Sequence, residues 1–403
     1  THSSAFGGIG MSALAHRMLD RGALISGSDD GKRSERIAEL EGRGVEMGTP
    51  PKGRRIAYST AVRDDHPLLR SASHALHRSE VLREQSEGKR VLAVAGTHGK
   101  TSTASLLAWT LEVAALSPSF VIGGIPTNFG CNGRYSSGDY IVVEADESDG
   151  SFLRLDPVSA LITNIEADHL DYWGTYANLE EGFRSFALSV REDLFWCAGD
   201  RGAREAALPG TAYGLDTSLP LLGRHMQWNG SGVFALARSL GLEAREIRKA
   251  FETFRGVVRR LEHIAALDSV DIYDDYAHHP TEITATLAAL REQCKGRLIA
   301  LFQPHRYTRL RDYFDQFTEA FSDTDEVVIT DIYSAGEAPL ERVHPLILLS
   351  ALKTKRARYV PRDRLVPFLM HFVSRGDLVV TLGAGDITEV GRELATRLEK
   401  VSG

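Results

Sequence analysis

The hydrophobic pattern of the chain alternates between short apolar runs and longer amphipathic segments. The apolar runs that resemble buried strands are residues 91–95, 140–144, 159–163, 270–274, 298–302, 326–330 and 377–382. Amphipathic segments with helical spacing lie between them, at residues 101–115, 176–187, 232–240, 281–293 and 311–321. Buried strands that alternate with helices are typical of parallel sheets. The pattern therefore predicts an α/β fold.

Two breaks in this pattern divide the chain into three predicted domains. Its 403 residues exceed what one ordinary hydrophobic core accommodates. The first break is the charged run 83–90, and the second is the segment 254–263, where a helix is predicted to end at Gly256. The predicted domains are residues 1–88, 89–255 and 256–403.

Two regions fit the alternating pattern poorly. Residues 7–19 resemble a glycine-rich turn that opens a helix and should follow a strand, but residues 1–6 are too polar and short for a convincing one. Residues 212–226 have little strand character for the end of a domain. We therefore expect no clear strand before Gly7 and an incomplete central domain near 212–222.

Composition and charge exclude several classes of protein. The chain is 43% hydrophobic and 25% charged, and its apolar runs are shorter than the ~20 residues that cross a bilayer. A formal charge of −7 argues against nonspecific nucleic-acid binding. Cys131, Cys197 and Cys294 form no CxxC motif, which argues against a disulfide framework or a zinc site. No secretory signal is visible, so we expect a cytoplasmic protein without membrane or nucleic-acid partners.

The segment 91–111 combines an apolar run, a glycine-containing loop and a helical pattern. Backbone N–H groups of residues 96–99 can surround a phosphate, to which Lys100 adds a positive charge. The hydroxyl group of Thr101 can bind Mg²⁺. Val94 stands where the full phosphate-loop motif has its first glycine, so an ordinary strand-to-helix turn is the alternative. The flanking strand and helix favour phosphate binding.

Acidic residues follow the strand predicted at 140–144. Glu144 comes directly after the apolar run and is the carboxylate best placed to hold Mg²⁺ beside a nucleotide. Asp146, Glu147 and Asp149 follow in the loop, and for Glu147 we expect a solvated position. A solvated acidic loop is also the alternative for the whole segment.

The strand predicted at 159–163 is followed by further polar residues, among them Asn164, Asp168 and His169. A single histidine after a strand is more often a hydrogen-bonded structural residue than a ligand. However, three consecutive strands then have polar residues at their carboxyl ends. Ligands of open α/β sheets bind at this edge, which favours a ligand role.

Polar residues follow two predicted strands in the last third as well. The sequence DDYAHHPTEI at 274–283 includes the adjacent pair His278 and His279, for which zinc binding has little support without an i+4 partner. A nucleotide or substrate role is favoured. Arg306 and Arg309 follow the strand at 298–302 and can grip a carboxylate or phosphate, with a solvated helix start as the alternative.

The second break also carries two arginines. Arg259 and Arg260 lie between two predicted domains, where arginines commonly clamp a phosphate. A surface dipeptide is the alternative.

Seven segments occur in an order that points to one family. They are GGIGMS…SGSD, AGTHGKTS, EADESDGSFL, TNIEADHLD, RR, DDYAHHPTEI and FQPHRYTRLRD. Together they span nearly the whole chain and closely resemble the Mur ligases of peptidoglycan synthesis. The resemblance implies a Rossmann-like N-terminal domain for a UDP-sugar, a P-loop ATPase-like central domain with a parallel sheet, and a Rossmann-like C-terminal domain for an amino acid.

The resemblance also implies an ATP-dependent ligation with Mg²⁺ as cofactor. The segments are most similar to the branch of the family that joins L-alanine to UDP-N-acetylmuramate, with ADP and phosphate as products. In such a reaction the lactyl carboxylate takes the γ-phosphoryl group of ATP, and the alanine amine then displaces phosphate. The oligomeric state is left open.

By family analogy, the site residues fall into groups by ligand. ATP-binding residues are Gly96, Thr97, His98, Gly99, Lys100, Thr101, Ser102, Asn229, Arg260 and Asp275. UDP-sugar residues are Gly8, Gly10, Met11, Ser12, Asp29, Ser59 and Arg78. Amino-acid residues are Tyr276, His278, Arg306 and Arg309; metal ligands are Thr101, Glu144 and His169; catalytic residues are Lys100, Glu144, His169, Arg260 and Asp275. Met226 replaces the usual asparagine, so Asn229 alone is expected beside the adenine.

Other functions are compatible with parts of the sequence. A recycling ligase that adds a murein tripeptide to the same UDP-sugar shares the phosphate loop but differs where this chain has FQPHRYTR. Folylpolyglutamate synthetase shares the ATPase domain but not the segment GGIGMS…SGSD. A nucleotide-driven switch is another alternative. Two features of the sequence oppose it, namely the separate sets of anion-binding residues in all three thirds of the chain and the paired arginines suited to a carboxylate. Ligation of L-alanine is therefore the favoured interpretation.

Overall fold

The computed structural model of the protein describes residues 2–4, 8–29, 35–48, 55–60, 62, 65–72, 74–267, 270–353 and 356–402. They belong to two compact units. One comprises Thr1–Leu221 and Met226–Gly256, and the other comprises Leu222–His225 and Val257–Gly403. Every helix in the described ranges is too short or too polar to span a lipid bilayer.

The first sheet lies in the first unit and has five parallel strands. They are β1 (His2–Ser4), β2 (Ser26–Ser28), β3 (Glu46–Met47), β4 (Ile56–Tyr58) and β5 (Ala75–His77), in the order β3-β2-β1-β4-β5. The accompanying helices are α1 (Ile9–Asp20), α2 (Glu35–Gly42), α3 (Pro67–Ser71) and α4 (Arg78–Gln85). The expectation of no clear strand before Gly7 is wrong, because β1 pairs with both β2 and β4. Main-chain hydrogen bonds from two neighbours hold a strand whose own sequence is short and polar.

The second sheet, also in the first unit, has seven strands. They are β6 (Arg90–Ala95), β7 (Ser119–Val121), β8 (Gly133–Arg134), β9 (Tyr140–Glu144), β10 (Ser159–Ile162), β11 (Leu194–Cys197) and β12 (Thr211–Tyr213). Their order is β12-β11-β10-β6-β9-β7-β8, and only the pair β7 and β8 is antiparallel among these described strands. Its helices are α5 (Lys100–Val113), α6 (Leu170–Trp173), α7 (Tyr176–Ser189), α8 (Arg201–Glu205), α9 (Arg224–Ser239) and α10 (Ala244–Thr253), with a 3₁₀ helix at Ser151–Arg154.

Both faces of this second sheet are buried. Successive residues of a strand point to opposite faces, so Ala93 and Val94 of β6 belong to two different hydrophobic cores. This explains why β6 is a continuous apolar run. The edge strand β12 has only three residues, at the start of the region 212–226 that has little strand character in the sequence.

The third sheet lies in the second unit and has six strands. They are β13 (Glu262–Leu267), β14 (Val270–Asp275), β15 (Leu298–Phe302), β16 (Glu326–Ile329), β17 (Ala357–Tyr359) and β18 (Leu378–Leu382). Their order is β13-β14-β18-β15-β16-β17, with β13 antiparallel to β14 and the other described pairs parallel. Its helices are α11 (Pro280–Gln293), α12 (Tyr307–Asp312), α13 (Phe314–Glu319), α14 (Pro345–Ala351), α15 (Leu365–Phe372) and α16 (Thr388–Ser402), with a 3₁₀ helix at Arg362–Arg364.

The predicted α/β fold is confirmed, and each predicted buried strand corresponds to an observed one. One helix prediction is wrong: residues 311–321 do not form a single helix but parts of α12 and α13, which are separated at Tyr313. The non-helical backbone of Tyr313, with φ −112° and ψ 21°, ends the first helix. Each of the three predicted domains contains one sheet, while their exact bounds stay a prediction.

Candidate active site

The predicted ATP-binding loop follows β6 in the middle of the second sheet. Gly99 precedes α5 with φ +79°, a left-handed conformation that glycine adopts without steric cost. Gly96 has φ +136°, and a Cβ atom there would lie 2.0 Å from the hydroxyl oxygen of Thr163. Both glycines are therefore required by the loop geometry. The loop forms although Val94, where the full motif has a glycine, is a buried strand residue.

Two asparagines pack against this loop. Asn164, after β10, accepts a hydrogen bond from the main-chain N–H of His98 (2.8 Å) and donates one to the carbonyl oxygen of His98 (2.9 Å). Asn229 on α9 is buried, and its side-chain amide would lie 3.0 Å from a Cβ atom at Gly99. Asn229, predicted to contact adenine, thus lies beside the phosphate loop. Met226 contributes a sulfur atom 3.7 Å from the Asn229 amide nitrogen.

The ammonium group of Lys100 is turned toward its own loop. It donates to the carbonyl oxygens of Gly96 (2.6 Å) and Thr97 (3.1 Å) and lies 2.7 Å from a carboxylate oxygen of Glu147. Burial alone would lower the pKa of Lys100, but the carboxylates of Glu147 and Asp146 outweigh burial and raise it. Lys100 is therefore a charged group at the point where a phosphate would bind.

Two of the three predicted metal ligands lie together. The hydroxyl group of Thr101 donates to Glu144 Oε1 at 2.9 Å, and the main-chain N–H of Gly123 donates to Glu144 Oε2 at 2.6 Å. The third, His169, has φ +53°, and its Nε2 lies 3.7 Å from Asp168 and 3.9 Å from Glu147. Hydroxyl and carboxylate oxygens are donors that Mg²⁺ prefers, so the pair at Thr101 and Glu144 fits this ion.

The expectation that Glu147 is solvated is wrong. Its side chain is only 1% exposed, because the loop after β9 folds the carboxylate inward against Lys100. Burial raises the pKa of Glu147, and Lys100 opposes that rise. An acid-rich loop after a strand carries no periodicity that separates inward from outward side chains.

The predicted UDP-sugar residues lie at the carboxyl ends of the first sheet. Asp29 follows β2, Ser59 follows β4 and Arg78 follows β5, while Gly8 precedes α1. Because these strands are parallel members of one sheet, their carboxyl ends share one edge. Gly10 and Ser12 belong to the first turns of α1, and the side chain of Met11 is buried in the hydrophobic core.

Arg78 lies between the first turn of α1 and the acidic loop after β9. Its Nη2 lies 2.6 Å from Asp146 and 3.2 Å from Asp149, and its Nη1 would lie 2.8 Å from a Cβ atom at Gly10. These ion pairs raise the pKa of Arg78 although burial acts against that rise. Asn132, which sequence reasoning missed, donates to the hydroxyl oxygen of Ser12 at 3.0 Å.

In the second unit, Asp275 is the last residue of β14 and is buried. Its carboxylate accepts hydrogen bonds from the N–H groups of Leu261 and Ala277, both at 2.7 Å. Burial raises the pKa of Asp275 to about 6, against the opposing effect of Arg260. The guanidinium group of Arg260 lies over the ring of Tyr276, 4.8 Å from its centroid. The structure therefore groups Arg260, Asp275 and Tyr276.

A pair of neutral histidines lies beside Tyr276. The rings of Tyr276 and His278 are 5.3 Å apart, and those of His278 and His305 are 5.7 Å apart. Burial lowers the pKa of His278 to about 3 and that of His305 to about 4. Arg309 lies 3.3 Å from His305 Nδ1, so it belongs to this group. His305 was not among the predicted residues, although it stands between the strand and Arg306.

Arg306 has a different partner. Its backbone has φ +70°, and its Nε donates to Glu337 Oε1 at 2.6 Å. Glu337 also accepts hydrogen bonds from the N–H and hydroxyl groups of Thr308, at 3.1 and 2.6 Å. Sequence reasoning missed Glu337, which lies in a loop after β16 with no motif around it.

Comparisons with known proteins identify the class. A Mur ligase middle domain profile matches residues 94–206, and a profile for the Mur ligase, glutamate ligase domain, matches residues 259–385. The first region contains the phosphate loop of the second sheet. The second contains the site residues beside the third sheet, which are Arg260, Asp275, Tyr276, His278 and Arg309. The chain belongs to the Mur ligase family, as one relative's full-length similarity confirms.

That relative is the UDP-N-acetylmuramate–L-alanine ligase of Desulforamulus reducens, which is 37% identical over 99% of this chain and 98% of its own. Among solved structures, UDP-N-acetylmuramate-alanine ligase MurC from Thermotoga maritima has 27% identity and a TM-score of 0.84, with 99% of both chains covered. A murein peptide ligase from Psychrobacter arcticus shares the fold, with 21% identity, a TM-score of 0.71 and 98% of both chains covered.

The chain is shorter than its relative. The Desulforamulus alignment extends over 452 residues, whereas this chain has 403. The relative therefore contains internal segments that this chain lacks.

Proposed function

We propose that this protein is an ATP-dependent ligase that joins L-alanine to the lactyl carboxylate of UDP-N-acetylmuramate in peptidoglycan precursor synthesis. The observation that carries the proposal is its full-length similarity to the L-alanine ligase of Desulforamulus reducens. The groups at the carboxyl ends of the three sheets support it, since each offers donors for one of three anionic ligands.

The reaction needs an activated carboxylate. A lactyl carboxylate oxygen bonds to the γ-phosphorus of ATP while the bond from that phosphorus to ADP breaks. The alanine nitrogen then bonds to the carbonyl carbon, loses a proton, and phosphate leaves with the former carboxylate oxygen. In this scheme Lys100 offsets negative charge on the transferring group, because its ammonium lies within the phosphate loop.

We propose Mg²⁺ as the cofactor, held by Thr101 and Glu144, whose oxygen atoms are 2.9 Å apart. When bound, the ion supplies charge compensation for phosphoryl transfer. His169 is the proposed ligand of a second Mg²⁺; this role rests on family analogy because magnesium prefers oxygen donors.

The proposed alanine site is the group of Tyr276, His278, Arg306 and Arg309 in the second unit. With His278 neutral, positive charge for a carboxylate comes from the two arginines. Asp275 and Arg260 are proposed nucleotide contacts. The proposed UDP site comprises Gly8, Gly10, Met11, Ser12, Asp29, Ser59 and Arg78.

The recycling reaction is the second candidate, because the murein peptide ligase of Psychrobacter arcticus shares the fold. The test is phosphate release with ATP, Mg²⁺ and UDP-N-acetylmuramate, with either L-alanine or the murein tripeptide added. We expect release with L-alanine and a new UDP-linked amide by mass spectrometry. Release with the tripeptide alone would assign the recycling reaction, and release with neither would contradict ligation.

A further inference from the structure

The buried carboxylate of Glu147 has no role in the mechanism above. Its Oε2 lies 2.7 Å from the Lys100 nitrogen, and its Oε1 lies 3.9 Å from His169 Nε2. Beyond these ion pairs, neither carboxylate oxygen accepts a hydrogen bond from any other residue that the structure describes. A buried carboxylate with so few donors is costly to the fold, so its position requires an explanation.

The main chain fixes Glu147 in this position. Its carbonyl oxygen accepts hydrogen bonds from the indole N–H of Trp173 (2.9 Å) and from the N–H of Gly150 (3.1 Å). The preceding residue, Asp146, accepts from the N–H of Ser148 at 3.1 Å. These contacts make a rigid turn that directs the Glu147 side chain toward Lys100.

The contact with Glu147 completes the surroundings of the Lys100 ammonium. Two of its three N–H groups are directed to the carbonyl oxygens of Gly96 and Thr97, and Glu147 is the remaining close partner. Lys100 is thereby held in the loop, but its positive charge is already balanced. A phosphate that approaches Lys100 also meets the negative charge of Glu147.

The nearby charged groups do not offset the negative charge of Glu147. Asp146 is paired with Arg78 at 2.6 Å, and Glu144 receives hydrogen bonds from a hydroxyl and an N–H group but forms no ion pair with any residue that the structure describes. In the part of the chain that the structure describes, the carboxylates of Glu144, Asp146, Glu147 and Asp149 therefore outnumber Lys100 and Arg78 around the phosphate loop. An added divalent cation would restore the balance.

We propose that Glu147 is a positioning residue that holds Lys100 in the phosphate loop and makes nucleotide binding depend on a divalent cation. This inference rests on the proposed function, because it concerns the same nucleotide site. Without metal, the carboxylate repels the nucleotide phosphates. With metal, that repulsion is offset and the placement of Lys100 remains.

The test is ADP binding by titration calorimetry at pH 8, with Mg²⁺ or with EDTA. Glu147→Gln removes the charge and keeps the size, so we expect metal-free ADP affinity to rise about tenfold. Affinity with Mg²⁺ should change less than about threefold, while turnover falls because Lys100 loses its anchor. Glu192→Gln, at an exposed ion pair with Arg90, is the control and should change neither affinity.

Glu147→Asp is the second variant, and it remains informative if Glu147→Gln does not fold. It keeps the charge but withdraws it by one methylene group from Lys100. We expect metal-free ADP affinity within about threefold of the unaltered protein, together with reduced turnover. A Glu147→Gln protein with unaltered metal dependence would overturn the inference, as would a fully active Glu147→Asp protein.

A different measurement, phosphate release, tests the proposed function. That function would be contradicted if the unaltered protein released no phosphate with L-alanine, whatever the ADP affinities are. The binding measurements use no alanine and no UDP-sugar, so they still report on Glu147 in that case.

Discussion

Replacement of Arg306 by alanine tests the proposed carboxylate site. The guanidinium group of Arg306 is anchored by one contact, from Nε to Glu337 at 2.6 Å. Its two Nη groups form no hydrogen bond with the residues that the structure describes, so they remain for a ligand carboxylate. Arg306→Ala removes those donors without leaving Glu337 unpaired, because Thr308 still provides two hydrogen bonds. The variant should therefore fold.

The size of the effect follows from the exposure of Arg306. A hydrogen bond to a charged group contributes about 1.5–3 kcal/mol. The side chain of Arg306 is 37% exposed, so solvent screening places the loss near the lower end, at about 2 kcal/mol. That corresponds to a rise of about 30-fold in the KM for L-alanine. The KM for ATP should change less than about threefold, since the phosphate loop lies on another sheet.

The assay is steady-state phosphate release with L-alanine and ATP varied in turn. Arg311→Ala is the matched control on α12, the helix that Arg306 immediately precedes, and its side chain is 56% exposed and paired with adjacent Asp312. We expect the control to leave both KM values unchanged. Equal increases in both KM values for Arg306→Ala, or an unchanged KM for L-alanine, would refute the assigned role.

Three further predictions concern the phosphate loop and His278. Lys100→Ala should abolish turnover and keep a cooperative thermal unfolding transition, at a lower temperature because the buried carboxylate of Glu147 loses its cation; near-normal activity would refute the role of the loop. Gly96→Ala should lower the free energy of unfolding by about 2 kcal/mol or more and abolish ATP binding, because its Cβ atom would clash with Thr163. Gly214→Ala is the control, because open space surrounds that position, and it should be neutral in both unfolding and binding assays. Burial lowers the pKa of His278 from 6.5 to about 3, so between these pH values the unfolded chain binds a proton here and the folded protein does not. The stability that His278 contributes is therefore complete above pH 6.5 and is lost as the pH falls through about 3. In urea unfolding between pH 7 and 4, His278→Gln should therefore lose stability less steeply than the unaltered protein; identical slopes would contradict this.

Much of the fold is predictable from periodicity. The strand β15 coincides with the predicted run 298–302, because a strand buried on both faces must be apolar at every position. The same rule fails for β1 (His2–Ser4), whose sequence is polar and whose stability comes from pairing with two neighbours. Pairing partners far apart in sequence leave no periodic signal.

The candidate site was predictable where a backbone conformation dictates the residue type. Gly99 is an example, because its left-handed backbone favours glycine and the pattern Gly-Lys-Thr follows a strand. Glu147 and Glu337 were not predictable as site residues. Their positions depend on how a loop folds onto Lys100 or Arg306, and a charged residue in a loop has the same sequence pattern whether it points inward or outward.

The most direct test of the proposed reaction follows one oxygen atom. UDP-N-acetylmuramate with ¹⁸O in its lactyl carboxylate is incubated with ATP, Mg²⁺ and L-alanine, and the released phosphate is analysed by mass spectrometry. An acyl-phosphate route breaks the bond between the carbonyl carbon and one carboxylate oxygen, so each phosphate should carry one ¹⁸O atom. Unlabelled phosphate, or release that does not depend on L-alanine, would contradict the account.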